Sequence, residues 1–140
     1  MKLNPSQKRF LTSALLGYEK TLRNALQTLD SHNEQGILYK PHFTINKDSR
    51  NEAKKIIQNE LIQIANMVKK YDLETREVDL SNSLAAHLSE NWGDLVDCSS
   101  AHLGNYGEVD RTRIEDYDRE MEELADTALK LAILFGNVDD

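Results

Sequence analysis

The sequence predicts an all-α protein, an up-and-down four-helix bundle with a long apolar linker between helices 1 and 2. Three observations predict it. Apolar residues recur at alternating steps of three and four in four separate segments. Helix-capping residues stand at the starts of several of these segments. No segment pairs a strict two-residue alternation with hairpin-turn residues. At 140 residues, the chain is expected to form a single helical-bundle domain over 1–140.

Helix 1 is announced by Asn4-Pro5-Ser6-Gln7. Asn is a good N-cap, Pro suits the first helical position, and Gln three residues after the cap closes a capping box. Leu11, Leu15, Tyr18, Leu22, Ala25 and Leu29 then form a heptad seam, so the helix is expected over about 5–31, with Gly36 marking the exit. Helix 2 opens on a second box, Ser49-Arg50-Asn51-Glu52, and carries Ile57, Leu61, Ile64, Val68 and Tyr71 over about 50–71. Lys69 and Lys70 sit in its last turn, where cations suit the helix dipole.

Helix 3 is capped by Asp79 or Ser81 and steps through Leu84, Leu88, Trp92 and Leu95, over about 80–97. Gly93 within it costs about 1 kcal/mol relative to Ala. Ser99, Ser100, Gly104 and Gly107 end the pattern. Helix 4 has the clearest seam, with Ile114, Tyr117, Met121, Leu124, Ala128, Leu131 and Phe135, over about 110–135. Gly136-Asn137 supplies its stop signal, and acidic residues crowd its first turns.

Composition narrows the class further. No apolar run reaches the ~18–20 residues of a membrane span, and Met1-Lys2-Leu3-Asn4-Pro5 does not open a secretory signal. A single Cys forms no internal disulfide. The expectation is a cytoplasmic protein without a membrane partner.

Charge is unevenly spread. Residues 1–70 hold twelve Lys/Arg and six Asp/Glu, a balance of +6; residues 71–140 hold five and eighteen, a balance of −13. In an up-down-up-down order, the basic helices 1 and 2 would meet the acidic helices 3 and 4 along two seams. Nucleic-acid binding through Lys54, Lys55, Lys69 and Lys70 is disfavoured, because the net charge is −7 and there is no dense basic cluster.

Two features point to partners. The linker from His32 to Asp48 exceeds the usual ~2–8 residues of a bundle connection and is apolar, with Ile37, Leu38, Tyr39, Phe43 and Ile45 around Lys40-Pro41-His42. It either folds back to plug the bundle or presents a binding loop on a rigid scaffold. The end of helix 4 is apolar nearly all round, from Ala128 through Leu129, Leu131, Ala132, Ile133 and Leu134 to Phe135. Phe10, Leu16, Ile56 and Ile62 lie off the seams of helices 1 and 2. This surplus predicts self-association, with Tyr39, Phe43, Leu129, Ile133, Leu134 and Phe135 as the contact residues.

Asp94, Cys98 and His102 follow one another at i, i+4, i+8 and would share a helical face with ligand types that zinc accepts. The expectation for them is a solvated helix end rather than a metal site. His32 reads as a surface residue that stabilises the helix 1 dipole and His87 as structural, and there is no P-loop, dinucleotide fingerprint or Glu-x-x-His pair.

Glu122 precedes Glu123-Leu124-Ala125-Asp126, and upstream stands Glu90-Asn91-Trp92-Gly93-Asp94. The first stretch is similar to the Glu-x-x-Asp segment of the all-α nucleoside-triphosphate pyrophosphohydrolases. That family pairs it with an upstream Glu-x-x-Glu; here Asn91 and Asp94 stand at the two positions. The resemblance implies a Mg²⁺-dependent hydrolase with Glu90, Asp94, Glu123 and Asp126 as metal ligands. The residues themselves favour a different reading: a non-enzymatic helical bundle without a cofactor, a homo-oligomeric regulatory or accessory protein that meets itself and a protein partner of unknown identity.

Overall fold

The computed structural model describes residues 1–31 and 34–137. Among the described residues the structure is all-helical, with no strand: α1 (Pro5–Asp30), α2 (Lys47–Lys70), α3 (Leu80–Val96), α4 (Ser100–Leu103), a 3₁₀ turn (Gly104–Tyr106) and α5 (Ile114–Gly136). There are thus five α-helices where four were expected. None of them is long and apolar enough to cross a membrane. The chain divides into two compact units, Met1–Arg76 and Glu77–Asp140.

The first unit is a pair of long helices. At its start Asn4 and Gln7 bond reciprocally, Asn4 N to Gln7 Oε1 at 2.9 Å and Gln7 N to Asn4 Oδ1 at 2.8 Å. Pro5 begins the helix, where its missing N–H is harmless. The predicted seams turn inward: Leu22 and Ile64 are buried, and Leu11, Leu15, Ala25, Leu29, Ile57, Leu61 and Val68 are half-buried. Tyr18 lies at the edge of the pair, where its hydroxyl donates to Glu60 at 2.7 Å. That bond to a carboxylate raises the Tyr18 pKa above the usual phenol value. Lys54 meets Asp30 at 2.5 Å.

The start of α2 differs from the sequence expectation. The capping residue is Asn46, which accepts from Ser49 N at 2.8 Å, and the helix begins at Lys47 rather than near Arg50. Asn46 and Ser49 are both good N-caps, and the residue nearer the linker does the capping. The C-terminus is a Schellman turn. Leu73 N bonds Val68 O at 3.0 Å and Asp72 N bonds Lys69 O at 3.3 Å. Asp72 takes the left-handed position, with φ 52°, that such turns need. Leu73 is thereby buried, and the chain returns along α1. There the Arg76 guanidinium donates to Ser13 Oγ at 2.8 Å and to Arg9 O at 2.9 Å.

The second unit pairs α3 with α5. Asp79 caps α3 through Ser81 N and Asn82 N, in agreement with the sequence. The two helices run antiparallel: a Cβ built on Gly136 would lie 3.6 Å from Ala85 Cβ, whereas the Tyr117 hydroxyl donates to Cys98 O at 2.5 Å. The expected helix over 110–135 starts later, at Ile114. Asp110 accepts from both Thr112 N and Thr112 Oγ1, and Arg113 is left-handed with φ 66°. This local turn competes with helix for residues 110–113.

The inner face of α5 is also corrected. Leu124, expected in the seam, is 56% exposed, and Ala125 beside it is 5% exposed. Ala128 and Ala132 are buried on the same face as Ala125. The strict seven-residue repeat drifts round a straight helix that closes at 3.6 residues per turn. Small side chains also let two backbones approach closely, so the alanines take the contact. On α3, Leu84 and Trp92 are exposed members of the expected seam, and Leu88 and Leu95 are half-buried.

Candidate interaction surface

With Ala125, Ala128 and Ala132 on the buried face, several bulky residues of α5 are turned outward. Ile133 and Leu134 are 58% and 59% exposed, and Leu124, Leu131 and Phe135 are also exposed. Leu129, Ile133 and Leu134 line a shallow hollow of about 360 Å³, with Asp126 and Lys130 at its edge. These positions lie on successive turns of one helix, the spacing at which a side chain of another helix inserts. Four residues of the predicted contact set thus share one stretch of α5.

Charge follows the same division along α5. Residues 115–126 hold seven Asp/Glu and one Arg, whereas Lys130 is the one charged residue of 127–136. The acidic half suits solvent and the helix N-terminus; the other half offers apolar area with little charge to desolvate.

The remaining two predicted contact residues, Tyr39 and Phe43, belong to the first unit. Tyr39 is exposed. Phe43 is half-buried, with the Arg50 guanidinium 5.4 Å from its ring centre. It holds the linker against the start of α2, where Arg50 also donates to Ile45 O at 2.8 Å. The linker does not plug a core: Ile37, Leu38, Tyr39 and Ile45 are all exposed. Pro41 keeps the segment from forming a regular helix, and these side chains stand in solvent. His32, at the start of the linker, lies outside the described residues. Of the off-seam residues of α1 and α2, Phe10, Ile56 and Ile62 are exposed as well, whereas Leu16 is half-buried.

Among the basic residues, Lys54 is engaged with Asp30 and Lys70 lies over the Tyr71 ring, while Lys55 and Lys69 are exposed.

The carboxylates named for Mg²⁺ are exposed, Glu90 and Asp94 on α3, Glu123 and Asp126 on α5. Among the described residues, no three His, Cys, Asp or Glu side chains gather as a metal site would need. Asp94, Cys98 and His102 do not share one helical face. The helix stops at Val96, Asp97 caps it, and Ser99 opens the separate α4. There Ser99 Oγ and His102 Nδ1 are 2.8 Å apart.

The α3–α5 connection carries a network that the sequence reading missed. Ser100 N and Ser100 Oγ both donate to the Asp118 carboxylate, at 2.8 and 2.6 Å. Its sequence signal is weak, a Ser eighteen residues before an Asp. The Ser100 hydroxyl first, and its backbone N–H second, hold the Asp118 pKa below the usual carboxylate value of 3.8. A carboxylate lowered by folding stabilises the fold above that value, and the contribution is lost as pH falls through the lowered one. Ser100→Ala is therefore expected to move the Asp118 titration upward, toward 3.8. A carboxyl-resolved NMR titration checks this, and an unmoved Asp118 would refute the assignment.

In comparisons with known proteins, the chain matches no family model, no curated protein and no solved structure.

Proposed function

We propose that this chain is a non-enzymatic helical scaffold that acts by protein–protein contact, a cytoplasmic and homo-oligomeric accessory protein whose paired helices are completed into four-helix packing by a second copy. One observation carries the reading: α5 packs alanines against its neighbour and leaves Leu124, Leu131, Ile133, Leu134 and Phe135 exposed. A pair of helices has no use for such a row in water, and aliphatic and aromatic anchors in a polar surround are where protein contacts gain their energy. The nearly uncharged C-terminal half of α5 adds support, since docking it strips little charge of water.

Mass measurement in solution tests the reading. The wild type is expected at a multiple of 16.0 kDa, and Ile133→Glu is expected to return it toward 16.0 kDa. Ile133 is exposed, so the substitution should change the stability of one chain by no more than about 0.5 kcal/mol. A wild type at 16.0 kDa over the whole accessible concentration range would end the proposal.

A further inference from the structure

The first unit contains a half-enclosed cleft of about 200 Å³ where α1, α2 and the returning 73–76 segment meet. Leu15, Leu16, Ile64, Val68 and Leu73 make it apolar. It is smaller than the ~300 Å³ at which small-molecule sites usually begin. It is closer to the ~150 Å³ that accommodates a single benzene-sized group. One or two branched aliphatic side chains fit that space better than a metabolite does.

The same unit displays side chains of that kind. Ile37 is 100% exposed and Leu38 95% exposed, in the segment between α1 and α2. The cleft opens beside residues 12–19 of α1, and the segment leaves the helix after residue 30. Leu15 and Asp30 are therefore about 20 Å apart along the axis. The exposure of Ile37 and Leu38 shows that they do not fill the cleft of their own chain.

We propose that Ile37 and Leu38 of one copy occupy this cleft in a second copy, and that the exchange is reciprocal. The proposal rests on the self-association proposed above, and the contact it adds lies in the first unit rather than on α5. Segment and cleft stand at different heights on the same helix pair, so two pairs laid side by side in opposite directions satisfy both contacts by one two-fold axis. Charge agrees with this occupant. Lys40 follows the apolar residues in the segment, and Glu74 stands on the rim of the cleft, next to Glu19, which is paired with Arg23 of its own chain. The one basic rim residue, Arg76, is already committed to Ser13 and Arg9.

Disulfide trapping between two differently labelled chains tests it. Both chains carry Cys98→Ser; one also carries Leu38→Cys and the other Thr75→Cys, and both labelled sites are exposed, so folding is not at risk. After mixing under mild oxidation, the Leu38→Cys/Thr75→Cys heterodimer is expected at least tenfold above the product obtained when Ile62→Cys replaces Thr75→Cys. In parallel, Ile37→Glu with Leu38→Glu is expected to lower the mass of the assembly. An oligomeric wild type whose trapped product does not exceed the Ile62→Cys control overturns this inference and leaves self-association standing. A monomeric wild type with no trapped product overturns both.

Discussion

Ala128→Leu is expected to destabilise the Glu77–Asp140 unit by about 1–3 kcal/mol, because it overfills the contact between α5 and α3. Ala128 is buried, with Ala125 and Ala132 buried one turn to either side. Leu adds three carbons where three small residues let the helices approach. Helix propensity does not account for the loss, since Leu is nearly as good a helix former as Ala. Urea unfolding, with amide exchange on α3 and α5, measures the effect. Leu124→Ala is the informative partner. On the heptad reading it would remove a core residue and cost about 2–5 kcal/mol. On the observed geometry Leu124 is exposed, and the change in a single chain should stay within about 0.5 kcal/mol. Equal losses from the two variants would show that α5 is turned differently from the structure.

In the first unit the largest loss is expected from Leu22→Ala. Leu22 is buried in the middle of the α1 seam. Removing its isopropyl group forfeits burial and leaves a hole between two helices that cannot fully collapse. A value near the lower end of the range for such changes, about 2–3 kcal/mol, suits a core in which no described side chain is completely enclosed. That is a large share of the roughly 4–11 kcal/mol that a unit of this size holds. Chemical denaturation followed by circular dichroism checks it. A loss below about 1 kcal/mol would mean that α1 and α2 are held mainly by their polar contacts, such as Tyr18 with Glu60 and Lys54 with Asp30.

The first unit was the more legible one. The Asn4–Gln7 box acts through sequence neighbours, so it is readable from the letters alone. The α1 and α2 seams are built of Leu and Ile at steady spacing, and Leu22 and Ile64 turned out buried. In the second unit the spacing misled, because a buried Ala and an exposed Leu contradict what hydrophobicity alone ranks. Leu124 outweighs Ala125 on any apolar scale, yet backbone approach to α3 selects the smaller residue. The short α4 was missed for a related reason. Ser99, Ser100, Gly104 and Gly107 are helix breakers in general, and the helical turn that forms at Ser100 is held in part by a distant partner, Asp118. Of the contact residues, Leu129, Ile133, Leu134 and Phe135 were readable as an excess of apolar area on one helix. Whether Phe43 faces outward depended on where Arg50 lies, which spacing does not encode.

The shallow cores have a calorimetric consequence. The heat capacity of unfolding rises with the apolar surface newly given to water, about 12–15 cal/mol/K per residue for ordinary globular domains. Here much of the Leu, Ile and Phe surface is wet before unfolding begins. A lone chain should therefore absorb a smaller heat-capacity step than its length suggests. Its stability should consequently vary along a flatter curve between cold and heat.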